Sequence, residues 1–359
     1  MSTLTQASQQ WATRPEDERF CSLIELQSYV NLQRERSRGK VVSSRSIQAV
    51  PTSDNKGIVI NGAFDEAVPT NWSFGQLSSL AGAPAGYLRK LPSPIAADCI
   101  NYGLYKRDIE DVGVLLHENG EHSARAFTGP NYGRVWNKGI VDQLVDRFGD
   151  GITGDFKVPG EFGKDVVVTK ANTTLYASDR DLFVFLADEK NRIELPNRRD
   201  GKTGTLARGF FVTNSEVGGG VLGISTFVFD YACSNRIVWG AQQVSELRIR
   251  HTSSAPDRFI EEVTPAIEQY AQSSATGIVQ AIEDARAKRL DNVDDFLAKR
   301  FGKKFGDELR VRHFQEENRP IENLWDVATA VTAKARDIKW QDERVSLERQ
   351  AGAVLDLAA

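Results

Sequence analysis

Sulfur is scarce in this sequence. Its 359 residues include three cysteines and one methionine. Cys21, Cys99 and Cys233 are odd in number and far apart, which is typical of reduced thiols in a cytosolic protein rather than of a disulfide framework. The four histidines show none of the H-x3-H or C-x2-C spacings of zinc sites. We therefore predict no metal site and no cofactor.

Long apolar runs are absent too. No stretch of about 18 apolar residues occurs, so no membrane-spanning helix is predicted. The N-terminal stretch "MSTLTQASQQWATRPEDERF" lacks the basic patch and apolar core of a secretory signal. These two features predict a cytoplasmic protein without a membrane partner.

The sequence also lacks an excess of positively charged residues. The chain has 45 Lys and Arg against 49 Asp and Glu, a formal net charge of −4. A protein that attracts nucleic acid through its overall charge is basic. Any nucleic-acid binding by this chain must therefore come from local basic patches.

Apolar residues are nevertheless plentiful enough for a large core. They make up 40% of the chain, and its length suggests two structural units. Segments such as "LFVFLADE" and "VLGISTFVFDY" are rich in β-branched and aromatic residues and predict an antiparallel sheet. An apolar stripe from Ile260 to Ala285 predicts one long helix. We predict an α+β fold: a sheet with flanking helices over residues 1–253, then a helical C-terminal unit over residues 254–359.

Three glycines in a row raise the question of a nucleotide-binding loop. Gly218-x-Gly220-x-x-Gly223 has the G-x-G-x-x-G spacing, but a dinucleotide loop must open a helix. The segment that follows, "ISTFVFDY", is a good strand and a poor helix. The glycines therefore predict a strand connection that uses positive φ, in a hairpin where Asn214 and Glu216 bind backbone groups.

Basic residues cluster in three segments, at 34–45, 192–208 and 299–314. Such segments can neutralise phosphates, and the third adds phenylalanine rings for base stacking. The alternative in each case is a solvated loop or an amphipathic helix corner. The residues predicted to bind nucleic acid are Arg34, Arg36, Arg38, Lys40, Arg45, Arg198, Arg199, Lys202, Arg208, Lys303 and Lys304.

Catalytic motifs give a second hypothesis. Glu216 and Asp230 bracket one strand and could act as an acid–base pair, with Asn214, Asn235 or a divalent metal assisting. Asp188-Glu189-Lys190 has the D-x-K pattern of metal nucleases, but that pattern occurs four times in the chain. A metal-dependent enzyme acting on nucleic acid is the alternative to a non-enzymatic binding protein.

The segment "GFFVTNSEVGGGVLGISTFVFDYACSNRIVWG" resembles the phage/plasmid-like proteins of domain of unknown function 932. The upstream segment "SARAFTGPNYGRVWNKGIVDQL" is similar to that family as well, and the resemblance covers roughly residues 70–250. The family often has glycine after its Cys-Ser-Asn, where this chain has Arg236. The residues that match the signature are Asn214, Ser215, Glu216, Gly218, Cys233, Ser234 and Asn235.

The resemblance implies a mobile-element protein acting in a bacterial host cell, without an assigned activity or catalytic residues. It favours the handling of nucleic acid. We therefore expect a protein that binds single-stranded DNA, in annealing or as a recombination accessory, and that could form a homo-oligomer. A phage assembly or protein-interaction component is the third alternative.

Overall fold

The computed structural model describes residues 15–118, 120–158, 167–171, 173–196, 203–230, 235–238, 247–338 and 341–358. It confirms the predicted α+β class, with antiparallel sheets flanked by helices and a helical C-terminal region. No helix among these residues is long and apolar enough to cross a bilayer.

The first part of the chain alternates short strands with helices. Its elements are β1 (Arg19–Phe20), α1 (Leu23–Glu35), β2 (Ser37–Ser43), β3 (Gln48–Pro51), β4 (Ile58–Asn61), β5 (Val68–Pro69), α2 (Asn71–Leu80), α3 (Ala85–Leu88), α4 (Ser93–Lys106), β6 (Asp111–Glu118), β7 (His122–Thr128) and α5 (Asn137–Phe148). Hydroxyl groups cap two of these helices. Ser22 accepts from the Glu25 amide ahead of α1, and Thr70 accepts from the Ser73 amide ahead of α2.

Strands dominate the middle of the chain and helices its end. The strands are β8 (Phe156–Lys157), β9 (Leu175–Ala177), β10 (Leu182–Asp188), β11 (Ile193–Leu195), β12 (Gly204–Asn214), β13 (Leu222–Asp230), β14 (Asn235–Val238) and β15 (Leu247–Ile249). The helices are α6 (Ala255–Arg258), a π-helical turn (Phe259–Val263), α7 (Thr264–Gln272), α8 (Thr276–Ala287), α9 (Val293–Phe301), α10 (Lys303–Glu317), α11 (Leu324–Ala335) and α12 (Gln341–Leu355).

Two sheets organise the body. Within the described residues the large sheet has nine strands in the order β1-β9-β10-β12-β13-β14, with β8 beside β10, β11 beside β12 and β15 beside β13, and its pairs are antiparallel. The small sheet has the order β2-β6-β7-β5, so β2 is an edge strand. A separate hairpin joins β3 and β4.

The large sheet is buried on both faces because its strands carry apolar residues at successive positions. One face packs against α1, α5 and α7 through residues that include Leu182, Val184, Leu186, Phe210 and Val212. The opposite face carries a cluster of rings from Phe183, Phe185, Phe211 and Phe227.

The helices after residue 254 contribute to two hydrophobic cores. Phe259, Val263, Ile267 and Tyr270 belong to the first core, whereas the helical residues from Ile278 onward form a second core together with Ile193, Leu195, Leu206 and Val228 of the large sheet. The single long helix predicted for this region is wrong, because α7 ends at Gln272 and α8 starts at Thr276. Ile260, placed on the apolar stripe, is 64% exposed.

Candidate nucleic-acid interface

The connection from β12 to β13 holds the first part of the family-like signature. Thr213 pairs with Gly223, so the residues between them form the turn of this hairpin. Gly218 has φ +81°, the left-handed conformation predicted for this stretch. Asn214, Ser215 and Glu216 are each only 2% exposed. The turn is therefore part of the interior and not a free loop.

Glu216 is the centre of a buried polar network. One carboxylate oxygen accepts from Arg125 Nη1 at 3.0 Å, and the other accepts from the Asn137 amide at 2.8 Å. Arg125, from β7, is itself 2% exposed and also donates to the Asp179 carbonyl. The predicted binding of a backbone group by Glu216 is confirmed. Both oxygens of Glu216 are therefore engaged by donors in the interior.

Asn214 and Ser215 fasten the same turn to two other loops. Asn214 Nδ2 donates to the Val135 carbonyl at 2.9 Å, which confirms the second predicted backbone contact. The Ser215 hydroxyl donates to the Arg180 carbonyl at 2.7 Å and accepts from the Gly219 amide at 2.8 Å. These contacts join the segment before α5 and the segment before β10 to the turn.

Tyr132 and His251 close the network on one side. The Tyr132 hydroxyl donates to the Ser215 carbonyl at 2.7 Å and accepts from the Gly218 amide at 3.0 Å. Its ring stacks on His251, with centroids 4.9 Å apart, and His251 Nδ1 donates to the Gly133 carbonyl. Burial raises the pKa of Tyr132 and lowers the pKa of His251, so both side chains are neutral at pH 7.

Arginines and tryptophans alternate over the turn. Trp72 and Trp136 are half-buried and pack on Val217, and Trp72 Nε1 donates to the Val217 carbonyl at 2.9 Å. Arg34 and Arg134 lie 4.0 and 5.4 Å from the Trp136 ring centroid, and Arg180 lies 4.6 Å from that of Trp72. We call Arg34, Trp72, Arg134, Trp136 and Arg180 the arginine–tryptophan surface. Each guanidinium is held there by a cation–π contact.

Strand β2 extends the positive charge of this surface. Arg36 is half-buried, whereas Arg38 and Lys40 are exposed on this edge strand. The Arg38 side chain is 74% exposed and lies 3.7 Å from Glu118, and Lys40 donates to the Ala63 carbonyl. A Cβ at Gly39 would lie 3.6 Å from Arg134 Nη1, so β2 runs beside Arg134. The structure thus brings the predicted basic segment and the signature turn together.

Arg45 lies at the far end of that segment. Its guanidinium is 4.9 Å from the Tyr105 ring centroid and donates to the Arg107 carbonyl. Tyr105 belongs to α4 and is 67% exposed, and no ring contact among the described residues joins it to Trp72 or Trp136. Arg45 is therefore not part of the arginine–tryptophan surface.

A cavity of about 200 Å³ opens beside the turn, between α12 and the ring-bearing face of the large sheet. Arg349 of α12 reaches across it to the Ser225 hydroxyl at 3.4 Å. Its lining includes Arg180, Asp181, Phe183, Phe211, Arg248 and Arg349. Arg180 therefore belongs both to this cavity and to the arginine–tryptophan surface.

The predicted phosphate contact by Arg208 is wrong. Arg208 is 2% exposed and forms a 2.9 Å ion pair with Asp188, which is fully buried. It also donates to the Tyr270 carbonyl at 3.0 Å and to the Ser273 hydroxyl at 2.7 Å. Arg208 ties the large sheet to the end of α7. The ion pair with Arg208 also holds Asp188, the first residue of the D-x-K pattern, in the interior.

Other predicted residues lie elsewhere or outside the described part of the chain. Lys303 and Lys304 are exposed at the start of α10, in the helical region. No hydrogen bond or ion pair among the described residues joins α10 to the arginine–tryptophan surface. Asn235 is described through its backbone, which pairs with Asp230. The residues outside the described ranges are Arg198, Arg199, Lys202, Cys233 and Ser234.

Glu216 and Asp230 do not form the predicted acid–base pair. Glu216 precedes β13, and Asp230 is the last of the nine residues of that strand. With a rise of about 3.3 Å per residue, the strand separates the two ends by about 26 Å. This backbone separation is far larger than the reach of two side chains that share one reaction.

Several residues of the buried network, the arginine–tryptophan surface and the cavity were not singled out by the sequence: Arg125, Arg134, Arg180, Arg248, Arg349, Trp72 and Trp136. Arg125, Arg134 and Trp136 lie in the family-like "SARAF" and "PNYGRVW" segments, which is the one signal that pointed toward them. No protein-family model, curated protein or solved structure matches this chain. The resemblance to domain of unknown function 932 therefore stays a prediction.

His117 and His251 make the stability of the protein depend on pH. Burial lowers the pKa of both below 6.5, and neighbouring arginines lower it further. The unfolded chain therefore binds more protons, so the free energy of unfolding falls as pH falls through 6.5 toward the folded pKa values. We expect a lower urea midpoint at about pH 5.5 than at about pH 7.5.

Replacing both histidines with glutamine should reduce that pH dependence. The same change at His122, which is exposed, is the matched control and should leave it as in the wild type. If the urea midpoint of the double variant decreased from about pH 7.5 to about pH 5.5 by as much as that of the wild type, the attribution of the pH dependence to His117 and His251 would be contradicted.

Proposed function

We propose that this chain is a non-enzymatic protein that binds single-stranded nucleic acid across the arginine–tryptophan surface. The observation that carries the proposal is the alternation of guanidinium groups and indole rings over one buried turn. Mobile-element DNA is the expected ligand, following the resemblance of the turn to domain of unknown function 932.

The charges of this surface suit a phosphate backbone. Arg34, Arg134 and Arg180 lie on it, and β2 adds Arg38 and Lys40 at its edge. Glu216, the nearest carboxylate of the turn, is buried and neutralised by Arg125. The surface is therefore locally positive. Because the whole chain has a net charge of −4, its binding to a phosphate backbone depends on a local basic surface of this kind.

The rings favour a single strand over a duplex. Trp72 and Trp136 are half-buried, and packing on Val217 fixes both rings in place. Base–aromatic stacking contributes about 1–3 kcal/mol per base, and it requires bases that are not paired in a helix. Guanidinium groups beside the rings then contact the phosphates between stacked bases.

The proposal is tested by removing charge from this surface in a titration with a labelled single-stranded oligonucleotide. In the double variant Arg34→Gln, Arg38→Gln we expect roughly tenfold weaker binding or more. The slope of log affinity against log salt should also become shallower by about 1.4, since each phosphate contact contributes about 0.7 on single strands.

Arg289→Gln is the matched control. Arg289 is 77% exposed and pairs with Glu322, much as Arg38 is 74% exposed and lies near Glu118, but it belongs to the helical region. The control should bind like the wild type. The proposed site would be contradicted if the double variant bound the oligonucleotide as tightly as the wild type while the Arg289→Gln control bound it more weakly.

A further inference from the structure

The cavity beside the signature turn is lined by several arginine side chains. We infer that it binds a terminal phosphate, the phosphomonoester of a nucleotide or of a strand end. The part of this inference that concerns a strand end rests on the proposed function, whereas binding of a free nucleotide does not.

The charge of the lining matches a phosphomonoester better than an internal phosphodiester. Among the described residues of the lining, Arg180, Arg248 and Arg349 contribute three guanidinium groups and Asp181 contributes one carboxylate. A phosphomonoester carries about −1.5 to −2 at pH 7, whereas an internal phosphodiester carries one negative charge. Arginine also presents its donors in a fork that fits phosphate oxygens.

Arg180 supplies an independent observation. Its Nε is buried and has no hydrogen-bond partner among the described residues, although its backbone carbonyl accepts from Ser215. A buried donor without an acceptor destabilises the site, and a phosphate oxygen would satisfy it. Gly219 lies against this side chain, since a Cβ at position 219 would be 3.4 Å from Arg180 Nε and 3.0 Å from the Ser215 hydroxyl.

The size of the cavity limits what enters. Its volume is about 200 Å³, whereas sites that enclose a whole small molecule measure about 300–1,000 Å³. The rings of Phe183 and Phe211 form an apolar part of the wall. The cavity therefore accommodates the terminal phosphate with part of a sugar or base, while the rest of the ligand stays outside.

Calorimetric titrations of the full chain with inorganic phosphate, adenosine 5′-monophosphate and adenosine test the inference. We expect the monophosphate to bind and adenosine to show no binding. Gly219→Ala should weaken monophosphate binding roughly tenfold, because the added methyl would lie 3.0 Å from the Ser215 hydroxyl and disturb the hydrogen bond by which that hydroxyl holds the Arg180 backbone in the cavity wall. Gly220→Ala is the matched control, since a Cβ there meets nothing within 4 Å. Arg349→Gln, which removes a second lining charge without changing the turn, should weaken it as well.

Oligonucleotides of one sequence with a 5′-phosphate, a 3′-phosphate or neither distinguish the strand ends. We expect roughly tenfold tighter binding for one phosphorylated end, with the gain lost in Gly219→Ala and kept in Gly220→Ala. Absence of monophosphate binding together with no gain from either end phosphate would overturn the inference and leave strand binding at the arginine–tryptophan surface standing. Monophosphate binding without strand binding would support the cavity and contradict the proposed function.

Discussion

Replacing Arg125 with methionine should lower the free energy of unfolding by about 3–5 kcal/mol, because it leaves the Glu216 carboxylate buried without a counter-ion. Both side chains are 2% exposed and their charged atoms are 3.0 Å apart. The loss also removes the Arg125 hydrogen bonds to the Asp179 carbonyl and to the Ser37 hydroxyl. Urea unfolding followed by circular dichroism measures the change.

Two further variants identify the cause of that loss. Glu216→Gln in the Arg125→Met background should recover part of the stability, since glutamine still accepts from the Asn137 amide and carries no charge. Arg38→Gln, which breaks the exposed pair with Glu118, should cost less than about 1 kcal/mol. An Arg125→Met protein as stable as Arg38→Gln would show that the buried pair does not hold the turn.

Replacing Asp188 with alanine should have an effect of similar size, about 3–5 kcal/mol. Asp188 is the counter-ion of Arg208, and the two are 0% and 2% exposed at 2.9 Å. Asp188 also accepts from the Asn191 amide at 3.0 Å. The substitution thus leaves a buried guanidinium and an unsatisfied amide at the end of β10.

The exposed pair of Asp155 and Lys190 is the control for this second prediction. Its side chains are 63% and 66% exposed and 3.2 Å apart, so Asp155→Ala should cost less than about 1 kcal/mol. The same unfolding measurement applies to both variants. Equal stability of Asp188→Ala and Asp155→Ala would contradict a structural role for the buried pair.

Local patterns in the sequence were enough to predict the sheets and the signature hairpin. The β-branched and aromatic segments became β10, β12 and β13, and the glycines after Glu216 became a turn with positive φ at Gly218. The hairpin was predictable because alternation and turn chemistry depend on neighbouring residues. Asn214 and Glu216 bind backbone groups there as predicted.

Arg208 was wrongly predicted to contact phosphate because it was grouped with nearby basic residues. In β12 the residues Leu206, Arg208, Phe210 and Val212 share one face by alternation, and that face is buried. The sequence-based prediction counted Arg208 with the basic hairpin instead of with its strand. Strand periodicity was the stronger evidence, and a buried arginine then required a buried acid, which Asp188 provides.

The sequence pattern did not predict the end of α7 at Gln272. The apolar stripe continues past it because α7 and α8 each bury one face. The Tyr270 and Ala271 carbonyls in the last turn of α7 accept from Arg208, a cation from a distant strand. Such a charge at a helix C-terminus satisfies free carbonyls and favours the helix end there.

The candidate interface depends on contacts that no local pattern encodes. Arg34 lies in the last turn of α1, Arg134 precedes α5 and Arg180 precedes β10, and packing around Val217 brings them to one surface. Sequence reasoning therefore found one basic segment and the turn, but not the tryptophans between them. The lysines of α10 looked equivalent in the sequence and lie elsewhere.

The proposed function is tested most directly by an equilibrium titration of the wild-type protein against single-stranded and duplex DNA of one length over a range of salt. Light scattering on the same sample gives the oligomeric state needed to fit the stoichiometry. The surface predicts tighter binding of the single strand, with log affinity falling linearly in log salt at a slope of roughly −2 to −3.5 for three to five phosphate contacts. Binding that is undetectable at the lowest salt, that does not weaken with salt, or that is equally tight for duplex would contradict it.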